Sequence, residues 1–157
     1  MSEERAARAL AESGIDHTIT RHGPVGSLAE AAAARGVRPE DIVKTLVVRR
    51  GEDDYLFVLV PGGRAISWPK LRELLGVKRM SMPDAATAKE ATGYERGTIT
   101  PFGSLHAWPV IADATVPGRR VSIGGGAHGV AATVDADDMI RVLGATVADV
   151  TEPEPIA

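Results

Sequence analysis

The sequence of 157 residues contains no cysteine, asparagine or glutamine. Without a thiol, the chain can form no disulfide, thiolate zinc site or iron–sulfur cluster, and it has no cysteine nucleophile. Aromatic residues make up only 4% of the chain, yet the hydrophobic residues together reach 44%, which is enough for one core. No apolar run approaches the roughly 20 residues that span a bilayer, and the charged start of the chain is unlike a secretory signal. We therefore expect one soluble, cytoplasmic domain.

The net charge is small and negative. Lysine and arginine number 18 and aspartate and glutamate 21, so the formal charge is −3. This balance excludes a generally basic protein that coats nucleic acid, but it leaves room for a local basic patch. The chain has 14 arginines and only 4 lysines, so a lysine in an unusual position is informative.

Hydrophobic spacing and capping residues predict alternating helices and strands. The predicted helices cover residues 2–13, 27–36, 67–76, 135–143 and a stretch from 81 or 84 to 93. The predicted strands cover residues 15–21, 42–48, 55–60, 108–112, 119–123, 130–134 and 145–150. The strands at 42–48 and 55–60 are expected to form a hairpin central in the sheet, and the acidic end at 151–157 is expected to fray.

Lys44 lies inside an apolar strand. Strand alternation places Lys44 with Ile42 and Leu46 on one face, and Val43 and Thr45 on the other. A lysine in such a strand needs a partner for its ammonium group or an opening onto a cleft. Alternatively, the strand lies near a sheet edge and the lysine stem extends to solvent. The sequence alone leaves both interpretations open.

Two glycine-containing segments could contact a ligand. Gly97 and Pro101 form a Gly-x-x-x-Pro pattern, which can present backbone N–H groups to a carbonyl or phosphate oxygen, although glycines there could also serve only as turns. The segment 124–129 matches Gly-x-Gly-x-x-Gly. A β-like stretch follows it where a dinucleotide site requires a helix, so we favour a glycine-rich hairpin or a substrate-lining turn.

The histidines give no metal signature. His17, His22, His106 and His128 lack the spacing of a ligand pair, so we predict neither a metal nor another cofactor. His22 and His128 flank glycines in loops, where each could reach a cleft or simply lie on the surface. Asp113 follows a predicted strand and is expected to cap a turn.

An ordered set of motifs resembles the YbaK family, also known as the prolyl-tRNA synthetase editing-domain family. The motifs are Asp41–Val48, Pro61–Gly63, Thr92–Gly103, Ile111–Asp113 and Gly124–Gly129. The resemblance implies a free-standing, trans-editing aminoacyl-tRNA deacylase, which hydrolyses the ester of a mischarged tRNA. It also implies a single α/β (α+β) domain with a mixed, largely antiparallel, curved and barrel-like sheet surrounded by helices. On this basis the editing domain covers residues 1–150, and residues 151–157 form an acidic tail.

The resemblance also implies a site. It places the lysine matching Lys44 in the substrate pocket and the loop matching Gly97–Pro101 at the aminoacyl-adenosine end. We therefore expect Lys44 and Gly97 to be catalytic: Lys44 would hold the tRNA terminus or the developing charge, and backbone amides near Gly97 would stabilise the tetrahedral oxyanion. The residues expected to bind substrate are Thr98, Ile99, Thr100, Pro101, His22, Gly125, Gly126 and His128. Water is the expected nucleophile, because the chain offers no cysteine and no plausible triad.

The expected partners are the acceptor end of an aminoacylated tRNA and, as a further option, an aminoacyl-tRNA synthetase; no membrane and no dinucleotide is expected. The cargo is expected to be a small amino acid on tRNA-Pro or another tRNA. Candidate phosphate contacts are Arg49, Arg50, Arg64, Arg72, Arg96, Arg119 and Arg120.

Two positions depart from the family pattern. Thr98 follows Gly97 where many relatives have a second glycine, and Ala131 stands where some have an acidic residue. The second departure could change the accepted amino acid or remove a contact with substrate or water. It leaves open the alternative of a non-catalytic module of the same fold that binds tRNA or a synthetase.

Overall fold

A computed structural model describes residues 2–154, with five α-helices and nine β-strands. The helices are α1 (Ser2–Ser13), α2 (Leu28–Arg35), α3 (Trp68–Leu75), α4 (Ala85–Thr92) and α5 (Ala136–Leu143). The strands are β1 (His17–Arg21), β2 (Val43–Gly51), β3 (Asp54–Pro61), β4 (Arg64–Ile66), β5 (Val110–Asp113), β6 (Arg120–Gly124), β7 (Val130–Asp135), β8 (Thr146–Ala148) and β9 (Thr151–Pro153). Within the described residues, no helix is long and apolar enough to cross a membrane.

The strands form three sheets. The largest has the order β2-β3-β5-β8, with β2 antiparallel to β3 and the other neighbours parallel. The second sheet, β1-β7-β6, is antiparallel, and β4 pairs with β9. Among residues 2–154, one isolated bridge, between Ile42 and Ser122, joins the first two sheets. The predicted mixed α/β domain is confirmed, but so short a junction does not close the sheets into a barrel.

The core covers both faces of the largest sheet. On one face Phe57 and Leu59 pack with residues of β6 and β7, and on the other Leu56 and Val58 pack with Leu71 of α3. Apolar neighbours on both faces explain why every residue of β3 after Asp54 is buried. The prediction of a central hairpin is correct for β3 and wrong for β2, which is the edge strand of its sheet.

The last described segment, residues 151–154, is paired. Thr151 lies opposite Ile66 and is fully buried, and the Glu154 N–H donates to Gly63 O at 2.9 Å. The prediction that the tail frays from residue 151 is therefore wrong for 151–153, because these residues complete a ladder with β4. The rest of the predicted tail, residues 155–157, lies outside the described residues.

Candidate functional site

A cavity of about 560 Å³ opens along the free edge of β2. Residues 42–47 form one wall, and the segment leading into α4, residues 82–85 with Ala88, forms the opposite wall. The remaining lining residues are Arg35, Arg96, Gly97, Ile99 and Gly124. The cavity thus brings Lys44 together with Gly97 and Ile99 of a loop much further along the chain, and these three residues were predicted to share a site.

The cavity lies where β2 has no neighbouring strand on its outer side. Ile42 O accepts a hydrogen bond from Gly62 N at 2.7 Å, and because bonded pairs alternate in an antiparallel ladder, the backbone groups of Thr45 and Val47 point away from β3. The same edge is closed at one end by the Ile42–Ser122 bridge and at the other by Arg49, which exchanges hydrogen bonds with Ser81 at 2.8 and 3.1 Å. Between these closures, main-chain donors and acceptors of β2 face the cavity.

Two buried polar groups at the cavity have no partner within residues 2–154. The Thr45 side chain is only 8% exposed, and its Oγ1 makes no hydrogen bond. The Nε of Arg35, in the last turn of α2, is also buried without a partner. Buried polar groups are nearly always hydrogen-bonded, either to protein or to ordered water, so each of these groups is a candidate partner for a water or a ligand. Sequence analysis missed them, because nothing distinguishes Arg35 from the other arginines until α2 is placed against β6.

The cavity is rich in cations. Lys44 and Arg96 are exposed to it, and neither forms an ion pair with any other described residue. Burial lowers the pKa of Arg35. The acidic residue of the lining, Asp84, caps α4 by accepting from Thr87 N at 2.8 Å, and that hydrogen bond lowers its pKa. A cavity with this imbalance favours an anionic ligand or a developing negative charge.

The loop from Gly97 to Pro101 begins with a tight turn. The Thr98 N–H donates to Glu95 O at 3.0 Å, and Gly97 has a φ of +88°, which suits the third residue of a type II turn. Thr98 and Thr100 are buried, and their hydroxyl groups bond within the loop, to Glu95 O at 2.7 Å and to Phe102 N at 3.3 Å. Gly97 and Ile99 therefore reach the cavity, whereas the two threonines hold the loop in shape. Pro101 is half-buried and lies outside the cavity lining.

The glycine-rich turn after β6 supports that loop. Gly126 N–H donates to Thr98 O at 3.1 Å, and an added Cβ at Gly124 would lie 2.9 Å from Ile99 O. Such close backbone contact requires the absence of a side chain. Gly125 instead lines a second cavity, of about 450 Å³, between α1 and β1.

The predicted histidines and Ala131 lie around the site rather than in the cavity lining. His128 is 71% exposed, with its Cε1 close to Gly97 and its Nε2 3.5 Å from Glu95 Oε2. The backbone N–H of His22 donates to Gly129 O at 2.9 Å. Ala131 is fully buried in β7. No group of three or more His, Asp or Glu side chains within residues 2–154 is arranged to hold a metal ion.

The sequence profile of the aminoacyl-tRNA editing domain matches residues 22–142, which include every wall of the main cavity. The chain belongs to the aminoacyl-tRNA editing domain family. Two solved structures similar to this editing domain cover nearly all of it. A candidate trans-editing enzyme for prolyl-tRNA synthetase is 26% identical, with a TM-score of 0.86 and coverage of 96% of this chain and 97% of that one. The hypothetical protein APE2540 is 28% identical, with a TM-score of 0.85 and coverage of 94% and 99%.

Sequence relatives of the editing domain include parts of larger synthetases. The proline–tRNA ligase of Thermosipho melanesiensis is 32% identical over 106 residues, which are 67% of this chain and 18% of that protein. The proline–tRNA ligase of Brachyspira hyodysenteriae is 24% identical over 126 residues, 80% of this chain and 22% of that protein. The editing domain thus spans about a fifth of the length of these relatives.

Proposed function

We propose that this editing domain hydrolyses, in trans, the ester bond of a mischarged aminoacyl-tRNA. The observation that carries the proposal is the convergence of Lys44, the Gly97 turn and the unpaired edge of β2 on one cavity of a domain of this family. An ester carbonyl held there would lie among a cation and main-chain donors, which are the groups that stabilise a tetrahedral oxyanion.

The reaction needs water as its only co-reactant. Water attacks the ester carbonyl carbon, and the bond from that carbon to the ribose oxygen breaks. One proton of the water passes to the ribose oxygen and the other to solvent, so the amino acid leaves as its carboxylate. In this proposal Lys44 holds the tRNA terminus or stabilises the developing negative charge, and the Gly97 N–H donates a hydrogen bond to the oxyanion. The Thr98 N–H is already used within the turn, so it is not assigned a role in catalysis. A terminal hydroxyl of the tRNA itself is a candidate to assist the water.

The proposed cargo is a small amino acid, with tRNA-Pro as the first tRNA to test. The similarity to proline–tRNA ligases and to a candidate trans-editing enzyme for prolyl-tRNA synthetase supports this choice. Ile42, Leu46 and Ile99 give the cavity apolar side chains, while Thr45 adds one hydroxyl. Alanine, serine, threonine and cysteine are the cargoes that the family resemblance implies, so these are the ones to test.

The test is hydrolysis of a panel of tRNAs charged with alanine, cysteine, serine or threonine, including mischarged tRNA-Pro. We expect the wild type to be selective and Lys44→Ala to lose about 10²–10³-fold in rate, as is typical when one oxyanion-stabilising donor is removed. Lys78→Ala is the matched control, because Lys78 is also exposed but lies outside the cavity lining. Full activity of a folded Lys44→Ala would contradict the role of Lys44. A folded wild type that hydrolyses none of the panel would favour a non-catalytic binding module.

A further inference from the structure

Arg35 stands at the junction of two cavities. Its side chain lines the main cavity and also a neighbouring polar cavity of about 370 Å³, which Arg38, Asp41 and Arg120 help to line. The guanidinium is half-buried, and its contact with another side chain is a long hydrogen bond from Nη1 to Ser122 Oγ at 3.4 Å. The Nε–H is buried without an acceptor within the described residues.

No carboxylate of residues 2–154 neutralises Arg35. Asp41 lines the smaller cavity, but it already accepts from Arg38 at 2.9 Å and from Arg119 at 3.0 Å. Asp84 lines the main cavity, but it is occupied as the N-cap of α4. A partly desolvated cation without a counter-ion is unfavourable, so an incoming anion would gain both charge neutralisation and an unused hydrogen-bond donor.

We propose that Arg35 binds a backbone phosphate at the 3′ end of the RNA, and so anchors the acceptor end beside the ester. This inference rests on the proposed function for its choice of ligand. The aminoacyl ester itself has no free carboxylate, so the anions that reach the cavity with this substrate are phosphates. The planar fork of arginine matches two phosphate oxygens, and Arg35 Nη2 offers an accessible arm of that fork, because it makes no hydrogen bond with any described residue.

Binding of uncharged ligands tests the assignment without depending on hydrolysis. Adenosine has no phosphate and the trinucleotide CpCpA has two phosphodiesters, so their affinities are compared for wild type, Arg35→Gln and Arg35→Lys. We expect Arg35→Gln to weaken CpCpA binding about 10- to 100-fold, as for the loss of one charged hydrogen-bonded contact, and to leave adenosine binding unchanged. The dependence of log affinity on log salt should become shallower by about 0.7. Arg8→Gln is the matched control, because Arg8 is exposed on α1 and lies outside these cavities.

The outcomes separate this inference from the proposed function. Equal effects of Arg35→Gln on adenosine and CpCpA, or no effect on either, would overturn the phosphate assignment even if the wild type is an active deacylase. Binding of inorganic phosphate that depends on Arg35, with unchanged CpCpA affinity, would point to a free anion and would also overturn it. Arg35→Lys provides a second test in case Arg35→Gln does not fold. Because lysine keeps the charge but lacks the planar fork, this variant should keep the wild-type salt slope and bind CpCpA more weakly. Unchanged affinity for CpCpA would contradict a contact through the guanidinium fork.

Discussion

Gly124→Ala tests whether Gly124, at the end of β6, positions the Gly97–Pro101 loop by lacking a side chain. The backbone of Gly124 does not have a positive φ, so alanine fits its conformation, and the effect comes only from the added methyl group. That Cβ would lie 2.9 Å from Ile99 O and 3.3 Å from Thr98 O, whereas ordinary contacts begin at 3.4 Å. The loop must therefore move by about 0.5 Å, because its carbonyl groups cannot rotate away as a flexible side chain could.

We expect Gly124→Ala to lower the free energy of unfolding by about 1–3 kcal/mol, the usual cost of overpacking. Deacylation should fall by one to two orders of magnitude, since a displacement of about 1 Å at a reacting site can cost 10²-fold. Urea unfolding and single-turnover hydrolysis measure the two effects. Gly23→Ala is the matched control, because its added Cβ meets nothing within 4 Å and its φ is not positive. Equal stability and activity of the two variants would refute the proposed role of Gly124.

Two further predictions concern other groups. Asp113→Ala should cost about 2–4 kcal/mol in urea unfolding, because the buried Val150 N–H loses its acceptor at about 1–3 kcal/mol and the lost bond from the exposed Thr115 adds about 1 kcal/mol. Burial alone would raise the pKa of Asp113, but its hydrogen bonds outweigh burial and hold that pKa below the usual value. The stabilisation by Asp113 is therefore complete above the unfolded pKa of about 4 and is lost as pH falls through the lowered folded-state pKa. In a plot of unfolding free energy against pH, Asp113→Ala should flatten the fall at acid pH. An unchanged fall would contradict this role of Asp113. Thr45→Val removes a hydroxyl group that has no partner among the described residues, so the free energy of unfolding should stay the same or rise by up to about 1 kcal/mol. If the hydroxyl contacts substrate, KM for the ester should rise. A clear loss of stability would show that Thr45 Oγ1 has a partner in the protein.

Local signals in the sequence were sufficient to predict the helices. Ser27, Asp84 and Asp135 each cap a helix by accepting from the N–H three residues later, and Gly36, Gly93 and Gly144 end these helices in the left-handed conformation. Caps and stops are interactions between neighbours in the chain, so a single sequence contains them. The expected turn cap at Asp113 is likewise confirmed by its hydrogen bond from Thr115 N.

Long-range pairing was harder to predict. The apolar run of β2 is consistent with an inner strand, yet β2 is an edge strand whose outer side faces a cavity, and this explains how Lys44 fits there. The acidic residue Glu152 suggested a frayed tail, but its segment pairs with β4. Both differences depend on which strand lies beside which, and composition does not contain that information. The same is true of Arg35, which gains its significance only from its neighbours in space.

The short unpaired part of the β2 edge also affects how readily the protein would self-associate. An exposed strand edge normally invites a strand from a second molecule, and long edges of this kind lead to aggregation. Here the Ile42–Ser122 and Arg49–Ser81 bridges close the edge on either side, and Lys44 places a charge between them. Too few residues remain for another strand to continue the ladder. The protein can thus leave main-chain groups free for a small ligand while offering no template for self-association at that edge.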